Sequence, residues 1–261
     1  MFSIFFKNKK DKKRDEEHEI VEIEDYNDVT PIAIYIKEQT GINFDKQLDI
    51  LKSKMTSFCK IRYIKSFKTC LDKVHSDPAF KQELINYLTT NETYFYREHR
   101  QIEEFVKNAK SAHTKIDVLC APCSTGEEPY SLVIALLEAG IPSREFHITA
   151  IDISTEALDL AKEAVYKERN VKNLSSEIRL KYFDHKNNTY ILKEHLKDLV
   201  TFKQVNVFDR EFVELGKFDY VFSRNMLIYF DKETKQKAKE ILESMLKDKG
   251  KGVYFGHADL Y

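Results

Sequence analysis

The chain has 261 residues, 42% of them hydrophobic, and 42 basic against 43 acidic residues leave a net charge of −1. That length accommodates a mid-sized α/β unit with a small second unit, and the near-zero charge gives no global pull toward nucleic acid or an anionic membrane. The longest apolar runs, such as Val118–Ala121 and Ser131–Leu137, are too short to cross a bilayer, and the start lacks the small-residue cleavage site of a secretory signal, so a cytoplasmic location is expected.

Residues 1–28 are charge-dense, basic over Lys7–Arg14 and acidic over Asp15–Asp28. With no apolar period through most of their length they are expected to form a flexible extension. Residues 29–88 are expected to form a small all-helical domain. Pro31 suits a first helical turn with Thr30 as its cap. Ile32 and Ile36, then Leu48, Leu51, Met55, Phe58, Ile61 and Ile64, recur at helical spacing. A further helix starts near Asp77-Pro78, with Phe80, Leu84, Ile85 and Leu88 on one face. Residues 89–114 read as a linker and a connecting helix.

From Lys115 the pattern changes to alternating strands and helices. Ile116–Ala121 is a first strand, followed by a helix from Glu127 to Ala139 that Gly140 and Pro142 end. Phe146–Ile151 is a second strand, and Ser154 caps the next helix. Residues 174–198 read as an inserted subdomain, with a helical start and then a strand-like Thr189–Leu192. Leu199–Val207 and Phe218–Ser223 are a third and a fourth core strand. Asp231–Leu246 is a helix, and Gly252–Gly256 a fifth strand.

The four cysteines, Cys59, Cys70, Cys120 and Cys123, are expected to be free thiols in a reducing compartment. Cys120 and Cys123 have Cys-x-x-Cys spacing, but neither a thioredoxin-like unit nor further zinc ligands accompany them, so no metal site is expected.

Strand–helix alternation with short apolar strands predicts a parallel sheet with helices on both faces. In such α/β folds a ligand lies at the carboxyl ends of the strands, where strand order reverses. Ser124–Tyr130 with its Gly126, then Asp152, Asn206, and Arg224 with Asn225 follow four successive strands. An acid after the second strand suits ribose hydroxyls. A dinucleotide also needs its pyrophosphate cradled by several glycines, whereas this loop has one glycine and then Glu127 and Glu128, which would repel phosphate. A cationic nucleoside without phosphate fits better, and S-adenosylmethionine (SAM) is one.

These residues resemble the chemotaxis receptor methyltransferases of the CheR type over roughly residues 30–259. Thr89-Thr-Asn-Glu-Thr-Tyr-Phe-Tyr-Arg-Glu98 is similar to the linker motif Thr-x-Asn-x-Thr-x-Phe-Phe-Arg-Glu of that family. Cys123–Ser131 is similar to its SAM loop, Asp152-Ile-Ser to its second-strand motif, Phe218–Phe230 to its Arg-Asn segment, and Gly256-His-Ala-Asp259 to its Gly-His-Ser-Glu. The resemblance implies a Rossmann-like class I SAM-dependent methyltransferase domain over residues 115–261 with a small β-subdomain insertion. It implies SAM contacts from Asn91, Thr93, Arg97, Glu128, Asp152, Asn206, Val207, Arg224 and Asn225. Glu128 would face the amino group, Asp152 the ribose, and Asn206 with the Val207 backbone the adenine.

The implied reaction is transfer of the SAM methyl group to glutamate side chains of methyl-accepting chemotaxis receptors, giving methyl esters and S-adenosylhomocysteine. A glutamate with a pKa near ~4.3 is already ionised at neutral pH and needs no base. The enzyme must align oxygen, methyl carbon and sulfur and exclude water. Arg97, with its fork of donors, and Tyr229, with one hydroxyl, are the candidates for orienting the acceptor carboxylate. Lys52, Lys54, Lys60, Arg62, Lys65 and Lys68 lie in a stretch without acids, and the family docks a basic helix on the glutamate-rich receptor bundle, where opposite charge speeds encounter. A monomer without nucleic-acid partner or membrane insertion is expected. Tyr182–Tyr190 lacks the Gly-x-Gly-containing loop with which some members hold a receptor C-terminal peptide, so no such tether is expected. Tyr261 stands where family members continue into a final β-hairpin, which implies a sheet without that edge. The alternatives are a SAM methyltransferase with another acceptor, and a SAM-binding sensor or scaffold without catalysis.

Overall fold

The computed structural model describes residues 24–111, 114–247 and 252–260; residues 1–23 of the expected extension lie outside them. The first part is helical: α1 (Thr30–Thr40), α2 (Leu48–Ile61), α3 (Phe67–Ser76) and α4 (Pro78–Leu88). Their apolar faces meet in one cluster, with Ile32, Ile36, Leu51, Met55, Phe58, Phe67, Phe80, Leu84 and Leu88 buried. Asp28 Oδ1, not the Thr30 side chain, takes the first free amide of α1, that of Thr30, at 2.9 Å. Asp77 caps α4 by accepting from Ala79 and Phe80 at 3.0 and 3.1 Å. Ile61, expected on the packed face, is 70% exposed. It falls roughly 100° round α2 from the centre of the face formed by Leu51, Met55, Phe58 and Cys59.

After the linker, α5 (His99–Ala109) leads into β1 (Ile116–Cys120), α6 (Glu127–Glu138), β2 (Phe146–Asp152) and α7 (Thr155–Glu163). Ser154 caps α7 as the sequence predicts, accepting from Ala157. The insertion begins earlier than expected. It comprises β3 (Val165–Lys167), α8 (Glu168–Val171), α9 (Ser176–Tyr182), β4 (Phe183–Lys186), β5 (Thr189–Leu192) and α10 (Glu194–Lys197). Its strands pair antiparallel in the order β3–β5–β4. The charged, three- and four-residue strands β3 and β4 carry too short a period to be read from sequence. The chain then returns through β6 (Val200–Gln204), α11 (Arg210–Val213), β7 (Tyr220–Ser223), α12 (Lys232–Ser244) and β8 (Val253–Phe255).

β6–β2–β1–β7–β8 form one sheet, parallel at every pairing. The chain runs outward from β1 to β2 and β6, then crosses to the other side of β1 for β7 and β8. Strand order therefore reverses between β1 and β7, and the carboxyl ends there splay into a crevice. Alternation along the strands divides the core. Val118, Cys120, Ile148, Ala150 and Phe222 pack with Phe105 of α5 and Leu132 and Leu136 of α6. Leu119, Ala121, Ile151 and Val221 pack with Phe212 of α11 and Leu242 of α12.

The helical part sits over the carboxyl ends of the sheet. Gln82 donates to the Ile153 carbonyl at 2.9 Å, and Asn86 exchanges hydrogen bonds with Thr155 at 2.9 and 3.0 Å. Asn206 donates to the Gln39 carbonyl at 2.9 Å, and Asn43 N–H to the Tyr229 carbonyl at 2.8 Å. Between these contacts Gly41, left-handed at φ +80°, ends α1. A Cβ there would lie 2.5 Å from Phe208 and 3.1 Å from Phe230, so only glycine admits both the turn and the close approach.

Candidate functional site

A cavity of about 300 Å³ opens at the reversal of strand order, under the helical part. All nine residues that the family resemblance assigns to cofactor contact line it: Asn91, Thr93, Arg97, Glu128, Asp152, Asn206, Val207, Arg224 and Asn225. So do Tyr229, and Ile50 and Lys54 of α2.

Glu128 stands in the first turn of α6, behind Gly126, whose φ of +91° turns the chain from β1 into the helix. Arg224 Nε donates to Glu128 Oε2 at 2.6 Å, with both side chains buried. Burial pushes the Glu128 carboxyl up and the guanidinium opposes that rise. Its other oxygen, Oε1, is buried with no hydrogen-bond partner in the protein. Buried polar atoms are normally paired, so Oε1 is free for a donor in the cavity. Glu127, expected beside it, is turned away: Thr125 Oγ1 donates to it at 2.6 Å and Asn170 Nδ2 at 2.7 Å. Successive helical positions point about 100° apart, so only Glu128 meets the ligand space.

Asp152 ends β2. Its oxygens accept from the Ser124 N–H at 2.8 Å and the Ser154 N–H at 2.9 Å. Burial raises its pKa, and these amides pull it back. The two bonds orient the carboxylate and leave lone pairs for further donors. The Ser124 hydroxyl and Asn225 Oδ1, both among cavity-lining residues, also lack partners in the protein. Asn206 lines the cavity after β6. Its side chain is occupied, donating to Gln39 and accepting from Phe208 N–H at 3.1 Å, so it ties the loop after β6 to α1.

Arg97 enters from the linker, and its two neighbours, Tyr96 and Glu98, hold left-handed backbone at φ 56° and 50°. Such strain persists only where the surroundings enforce it. Phe95 is buried edge-on against Tyr166 and Phe183 of the insertion, with ring centroids 4.8 and 5.3 Å apart. Phe95 N–H donates to the Asn170 carbonyl at 2.8 Å, and Tyr96 N–H to Ser131 Oγ at 3.0 Å. The Arg97 carbonyl accepts from Arg224 Nη1 at 2.7 Å, and its guanidinium donates to the Glu92 carbonyl at 3.0 Å. Tyr229 lies in a single 3-10 turn, Leu227–Tyr229, at the cavity wall and belongs to none of the buried clusters.

The six basic residues do not share one environment. Arg62 donates through Nε to Glu83 at 2.8 Å and lies 3.7 Å from the Phe58 ring centroid. Lys68 pairs with Asp72 at 2.7 Å. Lys52 and Lys54 point about 160° apart round α2. Cys120 and Cys123 are free and buried, and burial pushes both thiols well up. Among the described residues there is no cluster of metal-ligating side chains and no helix long and apolar enough to cross a membrane.

A parallel sheet with this order, an acid at the tip of β2, and a half-paired buried acid at the start of α6 define a Rossmann-like class I SAM-dependent methyltransferase. The unpaired oxygen of Glu128 fits the cationic amino group of SAM. A family model described as "CheR methyltransferase, SAM binding domain" matches residues 91–260, and the chain belongs to the CheR methyltransferase family. A chemotaxis protein methyltransferase of Campylobacter jejuni is 39% identical over 226 residues, 86% of this chain and 85% of that one. Another, of Borreliella burgdorferi, is 32% identical over 236 residues, 84% of this chain and 83% of that one. A third, chemotaxis protein methyltransferase 2 of Pseudomonas aeruginosa, is 30% identical over 230 residues, 84% and 81% of the two chains.

Sequence reading missed the residues that hold the linker. Asn170 and Phe183 carry no local signal, because their partners Thr93, Glu127 and Phe95 lie far away in the chain. Asp259 stands inside a recognised motif, yet its role emerges only in three dimensions.

Proposed function

We propose that the chain methylates glutamate side chains of chemotaxis receptors in the cytoplasm, acting as a monomer. The observation that carries the site assignment is the free, buried Oε1 of Glu128 beside its Arg224-bound partner oxygen. SAM, when bound, supplies a methyl group on a positively charged sulfur. Glu128 would accept from its ammonium, Asp152 from its ribose hydroxyls, and the Asn206–Val207 segment would border its adenine. Asn91, Thr93, Arg224 and Asn225 would complete the walls.

The acceptor carboxylate is ionised at neutral pH, so this chain need not remove a proton. Its work is alignment and exclusion of water. Arg97 would offer its fork of donors to the acceptor, and Tyr229 one hydroxyl. Lys54, at the cavity, and Lys52, Lys60 and Lys65, along α2 and the turn after it, would attract an acidic helical bundle. The Arg62–Glu83 and Lys68–Asp72 pairs are weak, solvent-screened surface pairs, so both cations can exchange partners on docking.

The test is methyl transfer from labelled SAM to purified receptor cytoplasmic domains, read as base-labile label released as methanol. Label on glutamate is the expected result. SAM binding without such label would favour a sensor or scaffold, and label on another molecule a different acceptor. Reversing the charges of Lys52, Lys60 and Lys65 should slow receptor methylation and flatten its salt dependence. Unchanged rates across ionic strength would remove these lysines from docking.

A further inference from the structure

Asp259 does not line the cavity, yet it is fully buried and its carboxylate faces the loop that carries Arg224 and Asn225. Oδ2 accepts from Asn225 N–H at 2.5 Å and Gly256 N–H at 3.1 Å, and Oδ1 accepts from Ile228 N–H at 3.2 Å. Asn225 and Ile228 follow the end of β7 and Gly256 the end of β8, so these amides lie beyond the strand ladder. Charge-assisted bonds of this kind are stronger than neutral ones.

The loop needs such an anchor. Asn225 holds a left-handed φ of 60°, and its Oδ1 is buried without a partner in the protein. The segment after β8 comes as close as a backbone can, since a Cβ on Gly256 would lie 2.9 Å from Asn225 N and 3.0 Å from Asp259 Oδ2. Lys235 of α12 donates to the Asp259 carbonyl at 3.2 Å, which fixes the residue from behind.

We propose that Asp259 is a positioning residue for SAM, acting through Asn225: by gripping the loop after β7 it aims the unpaired Asn225 amide oxygen into the cavity. The inference rests on the reading of the cavity as the SAM site.

Asp259→Asn replaces one acceptor oxygen with an NH₂ that cannot receive these amides. Asn225→Gly deletes the side chain and keeps the left-handed turn. SAM dissociation constants are measured by calorimetry for the unmodified chain, each single variant and the double variant. Each single change should raise Kd at least about tenfold, and Asp259→Asn should add less than about threefold once Asn225 is Gly. Equal factors in the two backgrounds would overturn the inference, and so would an unchanged Kd in Asp259→Asn. Lys247→Ala provides the structural comparison, because it breaks ion pairs with Asp117 and Asp219 at the opposite end of the strands. It should lower Tm and leave Kd alone. If Asp259→Asn does not fold, Asp259→Ser carries the same cycle, removing the carboxylate and keeping a short polar side chain. Absence of SAM binding in the unmodified chain would overturn the site assignment as well; binding without coupling would overturn the positioning role alone.

Discussion

Arg224 reaches Glu128 through Nε at 2.6 Å and the Arg97 carbonyl through Nη1 at 2.7 Å. One guanidinium therefore ties the loop after β7 both to the start of α6 and to the linker. It also leaves one Glu128 oxygen unclaimed by the protein.

Glu128→Gln should weaken SAM binding. A hydrogen bond to a charged group contributes about 1.5–3 kcal/mol, so Kd should rise about 10- to 100-fold, as read by calorimetry. Unchanged affinity would mean that the ammonium binds elsewhere.

The same carboxylate sets a pH dependence. Burial raises its pKa above the ordinary glutamate value, and Arg224 only partly offsets the rise. A raised pKa means that the proton is held to higher pH. SAM affinity should therefore begin to fall, on acidification, at a higher pH than an exposed glutamate would impose. In Glu128→Gln that component of the profile should vanish, and a superimposable profile would assign the titration to another group.

Arg97→Ala should cut methyl transfer to receptor by about 100-fold or more, equivalent to roughly 2.7 kcal/mol. The backbone carbonyl that receives Arg224 survives the substitution, so Tm should change little. Tyr229→Phe should cost less, about tenfold, for one lost hydroxyl. Near-normal turnover in Arg97→Ala would take the guanidinium out of the reaction.

Gly41→Ala should loosen the helical part. The new methyl meets Phe208 and Phe230, and the positive φ adds strain, for a total of about 2 kcal/mol or more. Thermal unfolding should shift down by several degrees. An unaltered Tm would mean that Phe208 rotates away at no cost.

Asp231 links the two parts of the chain through contacts that acid weakens. It caps α12 through Thr234 at 2.8 Å and pairs with Lys37 of α1 at 2.6 Å. Hydrogen bonding to Lys37 and to the Thr234 amide lowers its pKa to about 2 from 3.8. A lowered pKa adds stability that is fully present above the unfolded value and disappears as pH falls from about 4 to about 2. Solvent screening keeps the ion pair with exposed Lys37 weak. Asp231→Asn should therefore lower stability modestly at pH 7, and most of that difference should be gone at pH 2, as read by denaturant titration. A deficit that persists undiminished at pH 2 would mean that the carboxylate charge is not its source.

Much of this protein was legible in its residues. Five core strands follow from short apolar runs between capped helices, because burial on both faces demands that pattern. Asp152, Arg224 and Asn225, one or two places beyond those runs, and the loop and helix start that carry Glu128 then had to share one edge of the sheet, which is why they could be grouped before any geometry. Tertiary structure alone decided the rest. Glu127 turns to Asn170 while Glu128 turns inward, Asn206 spends its side chain on Gln39, and Asp259 grips Asn225. Each choice depends on a partner 34 to 167 residues away in the chain. Periodicity records only which way a side chain faces, whereas the identity of what it meets is settled by how the elements pack.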